Sequence, residues 1–108
     1  MIKLESVEEL HKLYQQEKPY LLFKNSTTCP VSSEAFGETN SFDESRENIP
    51  VYYLNVQELR EGSNDAADHF DIKHESPQAF LINNKQVKWH DSHWRITKEN
   101  LDKAADSL

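Results

Sequence analysis

Apolar residues fall along this chain in short blocks whose spacing alternates between a helical and an extended period. Val7, Leu10, Leu13 and Tyr14 recur at helical spacing, and Pro19 closes that run. Ser6 with Glu9 three residues on forms a capping box at its start. Tyr20-Leu21-Leu22-Phe23 is a continuous apolar block, the pattern of a strand buried on both faces. Ser26-Thr27-Thr28 then makes a polar turn, and Pro30 suits the first position of a second helix. Val31, Ala35, Phe36 and Phe42 mark the inner face of that helix, whose end is blurred by the charged stretch Asp43 to Asn48. Pro50 to Val56 reads as a second strand, rich in β-branched and aromatic residues.

A third helix is expected over Ser63 to Phe70, with Ala66, Ala67 and Phe70 inward. Gln78 to Ile82 and Gln86 to His90 flank Asn83-Asn84, and asparagine tolerates the positive φ of a tight hairpin turn. Lys88 would mark the exposed face of an edge strand. Thr97-Lys98-Glu99-Asn100 opens a closing helix with Leu101, Ala104, Ala105 and Leu108 as buried contacts. The order α-β-α-β-α-β-β-α predicts an α/β fold: a central mixed four-stranded sheet with helices on both faces. Strands joined through a helix should be parallel, with a right-handed crossover. At 108 residues, without repeat or linker, the expectation is one domain.

Charge and cysteine count narrow the function. Nineteen acidic against twelve basic residues leave a net charge of −7, a field that repels phosphate backbones and argues against nucleic acid. No stretch approaches the ~20 apolar residues of a membrane span, and Met1 to Ser6 lack the apolar core of a signal peptide. A cytoplasmic location is expected. The single cysteine, Cys29, excludes an internal disulfide and a zinc site built from several thiolates.

Cys29 is also the chemical lead. Lying just before Pro30, it is expected to be the N-cap of the second helix, its sulfur facing the free N–H groups of Val31 and Ser32. Those donors and the helix dipole favour a thiolate, and helix N-termini lower a cysteine from ~8.5 to about 3.5–7.5. The Ser32 hydroxyl is expected to donate a further hydrogen bond to the sulfur. Ser32 stands where a dithiol enzyme would hold a second cysteine. Serine forms no disulfide, so an adduct on Cys29 has to be resolved by an outside thiol. The rival reading is a cysteine buried as a small apolar residue. His90 and His93 fall on opposite sides of a strand and lack a matched ligand set, so no metal is expected.

The words Asn25-Ser26-Thr27-Thr28-Cys29-Pro30-Val31-Ser32, Lys73-His74-Glu75-Ser76-Pro77-Gln78 and Lys88-Trp89-His90-Asp91-Ser92-His93 extend the pattern. With Tyr53-Leu54-Asn55-Val56-Gln57-Glu58, they make the chain resemble the YtxJ-type monothiol bacilliredoxins, a thioredoxin-fold family. That resemblance implies thiol exchange with bacillithiol, the small thiol some bacteria use in place of glutathione, as co-substrate. It implies S-bacillithiolated client proteins as partners and, indirectly, a bacillithiol-disulfide reductase. It also implies a cis Pro77 beside the nucleophile, with the Ser76 backbone free to pair with the bound disulfide. Thr28, Pro30, Ser76, Pro77, Trp89 and His90 are the expected substrate contacts around Cys29.

Departures from related patterns matter. Thr28 replaces the aromatic residue that thioredoxins carry before the nucleophile. Leu22 stands where a peroxiredoxin would want proline. Pro30-Val31 replaces the Gly-Phe of cluster-binding glutaredoxins. Two rivals to the enzyme remain: a non-catalytic stress or sensor protein whose Cys29 is S-thiolated, and a monothiol iron–sulfur carrier.

Overall fold

The computed structural model describes residues 1–108. Strand β1 spans Ile2–Lys3, helix α1 Val7–Tyr14, β2 Tyr20–Asn25, α2 Pro30–Ser45 and β3 Val51–Asn55. Then come α3 Arg60–Phe70, β4 Gln78–Asn83, β5 Gln86–Ser92, a single 3-10 turn at His93–Arg95, and α4 Lys98–Asp106. The sheet is mixed and runs β1-β3-β2-β4-β5. β2 pairs in parallel with β3 (Leu21 with Val51) and antiparallel with β4 (Leu22 with Phe80). The expected sheet of four strands therefore has five. The extra strand is a two-residue edge, parallel to β3 through Ile2 and Tyr52 and anchored by the Leu4 amide on the Tyr53 carbonyl at 2.7 Å. Two residues are too few to show a period of two, so the pattern could not announce it.

Alternation along β2 sorts the core into two layers. Tyr20 and Leu22 join Phe80 and Ile82 of β4 under Leu10 and Leu13 of α1 and Ala66 of α3. Leu21 and Phe23 join Ala79 and Leu81 beneath Ala35 and Phe42 of α2 and Leu101 and Ala105 of α4. Helices thus cover both faces. The capping box holds, with the Glu9 amide donating to Ser6 Oγ at 3.1 Å. α3 begins at Arg60, three residues ahead of its expected start, and Gly62 in its first turn packs where a Cβ would stand 2.9 Å from the Leu59 side chain. At the hairpin the turn residues are Asn84 and Lys85, with φ of 53° and 66°, one position beyond the expected pair. A bulge between Leu81 and Ile82 skips Lys88, which is exposed as anticipated.

Lys24 breaks the core's chemistry. It follows Tyr20 and Leu22 on the same face of β2, fully buried, and its ammonium lies 5.5 Å from the Phe80 ring centroid. No carboxylate pairs with it; Nζ meets only His74 Nδ1, at 3.1 Å. Burial lowers its pKa from 10.5 to about 8. A folded value below the unfolded one means stability is lost as pH falls from 10.5 towards about 8, with the full cost present at neutral pH. At ~1.4 kcal/mol per pH unit that cost is roughly 3 kcal/mol. Lys24→Met should therefore raise the urea midpoint at pH 7, by about 1–3 kcal/mol of stability, with a gain that shrinks as pH climbs towards about 10.

Candidate active site

β2 ends at Asn25, and the chain turns through Ser26, Thr27 and Thr28 into α2. Cys29 is the N-cap of that helix in extended conformation (φ −109°, ψ 123°), with Pro30 at the first helical position. Its thiol is partly exposed, so the reading of a sealed apolar cysteine does not describe it. The sulfur makes no capping hydrogen bond. The amides of Val31 and Ser32, second and third in the helix, have no intrahelical acceptor.

Ser32 departs from expectation in how it is bonded. Its side chain is fully buried; Oγ accepts from the Ser26 amide at 2.7 Å and donates to Asn25 Oδ1 at 2.9 Å. A hydroxyl has one proton, so the bond to Asn25 leaves none for the sulfur. The chain of donors continues outward. Asn25 Nδ2 donates to Asn55 Oδ1 at 2.8 Å, and Asn55 Nδ2 to Glu58 Oε1 at 3.0 Å. Glu58 in turn pairs with Lys3 Nζ at 2.9 Å, an exposed contact that holds its carboxyl below the usual range. Gln57 grips the turn from outside: it accepts from the Thr27 amide at 3.0 Å and donates to Ser26 Oγ at 2.8 Å and Thr28 Oγ1 at 3.2 Å. Asn25, Asn55 and Gln57 all sit in the motifs that carried the resemblance, yet hydrogen-bonding partners distant in sequence leave no local signal.

The register Lys24 to Gln78 brings the start of β4, and with it the adjoining Pro77, to the same end of the sheet. The Ser76–Pro77 bond is cis, as the resemblance implied. The Pro77 carbonyl accepts from the His93 amide at 3.0 Å, and His93 itself adopts φ 55°. Ser76 Oγ is buried without a hydrogen-bond partner.

Trp89 and His90 line two separate spaces, neither of which includes Cys29. Trp89 lies over the end of α4, in a cleft with Ala104, Ser107 and Leu108. His90 lines a cavity of about 440 Å³ with Lys73, Glu75, Gln78, Ser92 and Arg95, next to the segment that carries Ser76 and Pro77. Neither space includes a residue of 25–32. Alternation explains the split: neighbours on a strand face opposite ways, and Trp89 is three residues short of the sheet end where Ser92 pairs with Gln78. The aromatic that does approach the first turn of α2 is Trp94, two-thirds exposed, sharing a small groove with Val31 and His93. No group of three His, Cys, Asp or Glu side chains converges as a metal site would require.

Comparison with known proteins decides the family. The model of the family described as monothiol bacilliredoxin BrxC matches residues 2–101. The chain belongs to the monothiol bacilliredoxins. It is also similar to a solved protein described as a candidate oxidoreductase with a thioredoxin fold, at 36% identity, TM-score 0.90, covering 96% of this chain and 92% of that one. Thioredoxin from Fasciola hepatica is 12% identical at TM-score 0.79, over 99% of this chain and 98% of its own. Thioredoxin from Trypanosoma brucei brucei is 7% identical at TM-score 0.83, over 99% and 88%. Those two likenesses carry the thioredoxin fold alone; membership in the bacilliredoxin family carries a redox role through the single thiol. No helix of this bacilliredoxin is long and apolar enough to cross a membrane.

The Ser32 network makes a direct prediction. Ser32→Ala strands the part-buried Ser26 amide and Asn25 Oδ1, which should cost about 1–3 kcal/mol of stability, read as a lowered denaturant midpoint with unchanged slope.

Proposed function

We propose that the protein removes bacillithiol from S-bacillithiolated proteins in the cytoplasm, by a monothiol cycle through Cys29. The observation that carries this reading is a partly exposed N-cap thiol with no second thiol in the chain to resolve its adducts. Family membership supports the same chemistry.

In the first step the Cys29 thiolate attacks the bacillithiol sulfur of a client mixed disulfide. The client leaves as a free thiolate, and bacillithiol remains on Cys29 as a new disulfide. The Val31 and Ser32 amides and the amino end of α2 face the negative sulfur as it forms. In the second step another bacillithiol thiolate attacks the bacillithiol sulfur on Cys29. Cys29 is regenerated and bacillithiol disulfide departs, to be reduced by a separate reductase. Exchange of this kind keeps two electrons moving between sulfurs and needs no metal.

Around the sulfur, Thr28 and Pro30 flank the entering disulfide, while the Ser76 backbone before Pro77 receives its peptide or bacillithiol portion. The Ser32 hydroxyl is committed to Asn25, whereas Ser76 Oγ, in the segment that carries the cis proline, has no partner. Trp94 takes the place first given to Trp89 as the aromatic beside the docking surface.

Intact-mass measurement of the protein mixed with a bacillithiolated client tests the scheme. The client should lose the adduct while Cys29 gains it, and added bacillithiol should sustain turnover beyond one equivalent. Cys29→Ser should abolish transfer. A protein that accepts a single equivalent and stops would instead be a sensor, and the enzymatic reading would be wrong.

A further inference from the structure

The segment Ile72 to Pro77 delivers Ser76 and Pro77 to the end of the sheet, yet it belongs to no helix or strand. Buried polar side chains from three elements hold it in place. Gln78, at the start of β4, donates from Nε2 to the Lys73 carbonyl at 3.0 Å and accepts from the Glu75 amide at 3.2 Å. His74 Nδ1 lies 3.1 Å from Lys24 Nζ on β2 and 2.9 Å from Ser63 Oγ on α3. Ser63 and Lys24 are both buried to within 1% exposure, so this contact ties the segment to the interior and not to the surface.

An ammonium carries donors only, so the bond from a charged Lys24 requires Nδ1 to present its lone pair. His74 must then be neutral, with its single ring proton on Nε2. The charges facing it are Lys24 of β2 and Arg60 of α3, which oppose protonation, and Glu75 of its own segment, which favours it. Burial, followed by Lys24 and Arg60, holds the imidazole neutral to lower pH than an ordinary histidine. Once protonated, Nδ1 could no longer accept from Lys24; its proton would turn to Ser63 Oγ, 2.9 Å away, and imidazolium and ammonium would repel at close range. The cost of burying Lys24 without a carboxylate has no counterpart in packing, since an apolar chain of that length would fill the space.

We infer that Lys24 and His74 are positioning residues for the exchange site: neutral His74, accepting from Lys24, keeps the Ser76–Pro77 segment in the pose that receives the disulfide, and protonation of His74 releases it. The inference rests on the proposed de-bacillithiolation for its kinetic readout, while the latch itself can be observed without turnover. Neither residue touches the reacting sulfurs in this scheme; both act through the segment.

Two measurements on the intact protein test it, from about pH 8 to about pH 5, across the ordinary histidine range. The first is the amide-exchange protection of Lys73 to Ser76, corrected for intrinsic rates; the second is KM against kcat for a bacillithiolated client. In the wild type, protection should fall and KM rise about tenfold on the acid side, with kcat nearly constant. His74→Asn places an untitratable amide oxygen where Nδ1 stands, and both profiles should become flat. Lys24→Met should raise KM at every pH although the variant resists urea better than wild type, a combination that general loss of structure would not produce. An acid limb of equal size in His74→Asn, or unchanged protection and KM in Lys24→Met, would overturn the latch. Protection that follows His74 in a protein with no turnover would sustain the latch and sink the functional reading instead.

Discussion

One buried oxygen, Ser32 Oγ, closes the loop that presents the thiol. It receives the Ser26 amide from the strand side and gives its proton to Asn25, so residues 25 and 32 are joined beneath the turn. Gln57 holds the same turn from outside. Cys29 therefore stands at an apex fixed at its base and its flank, without any bond to the sulfur itself. That arrangement leaves the thiol free to react while its direction is set by groups that do not react. It also separates this chain from a dithiol enzyme in a physical sense. Sulfur is a weak donor and acceptor, so a cysteine at position 32 would not reproduce two short bonds in a fully buried space. The monothiol character is built into the support of the loop as well as into the cysteine count.

The opposite face of the same sheet end shows a second polar commitment. Lys24 is buried where Tyr20 and Leu22 prescribe an apolar side chain, and its charge answers to a histidine and not to a carboxylate. Buried ionic groups are often replaceable by apolar ones without loss of fold, and sometimes with gain. Keeping one beside the segment that leads to Pro77 is better understood through what it holds than through what it stabilises. Together, Ser32 and Lys24 hold the turn before Cys29 on one face and contact the segment before Pro77 on the other.

Much of this was legible in the sequence. Continuous apolar runs gave β2 and β4, the capping box gave α1, and Pro30 after a polar turn placed Cys29 at a helix start; all three are local signals. What escaped detection depends on contacts across the fold. β1 is a strand only because Leu4 is buried and β3 lies beside it. β2 continues through Lys24 and Asn25, where a reader of hydropathy stops at Phe23, because the polar partners of those two residues lie 30 and 50 positions away. Trp89 and His90 are neighbours in sequence, but a strand sends neighbours to opposite faces, and they line separate spaces. Trp94, which shares a groove with Val31, follows a positive-φ turn at His93 that no asparagine or glycine advertises.

The fold alone would not have led to this chemistry. Thioredoxins 7% and 12% identical to this chain share its architecture, so the topology tolerates nearly complete replacement of its side chains. Nothing in that topology demands a buried serine under the loop, an amide chain from Asn25 to Glu58, or a lysine facing a histidine inside the core. An all-apolar interior would satisfy the sheet equally well and would fold with less electrostatic cost. Buried polar groups that the architecture does not require, gathered at one end of one sheet, point to the function of that end. Here they converge from both faces on the turn before Cys29 and the segment before Pro77, the two places where the proposed exchange puts the entering disulfide.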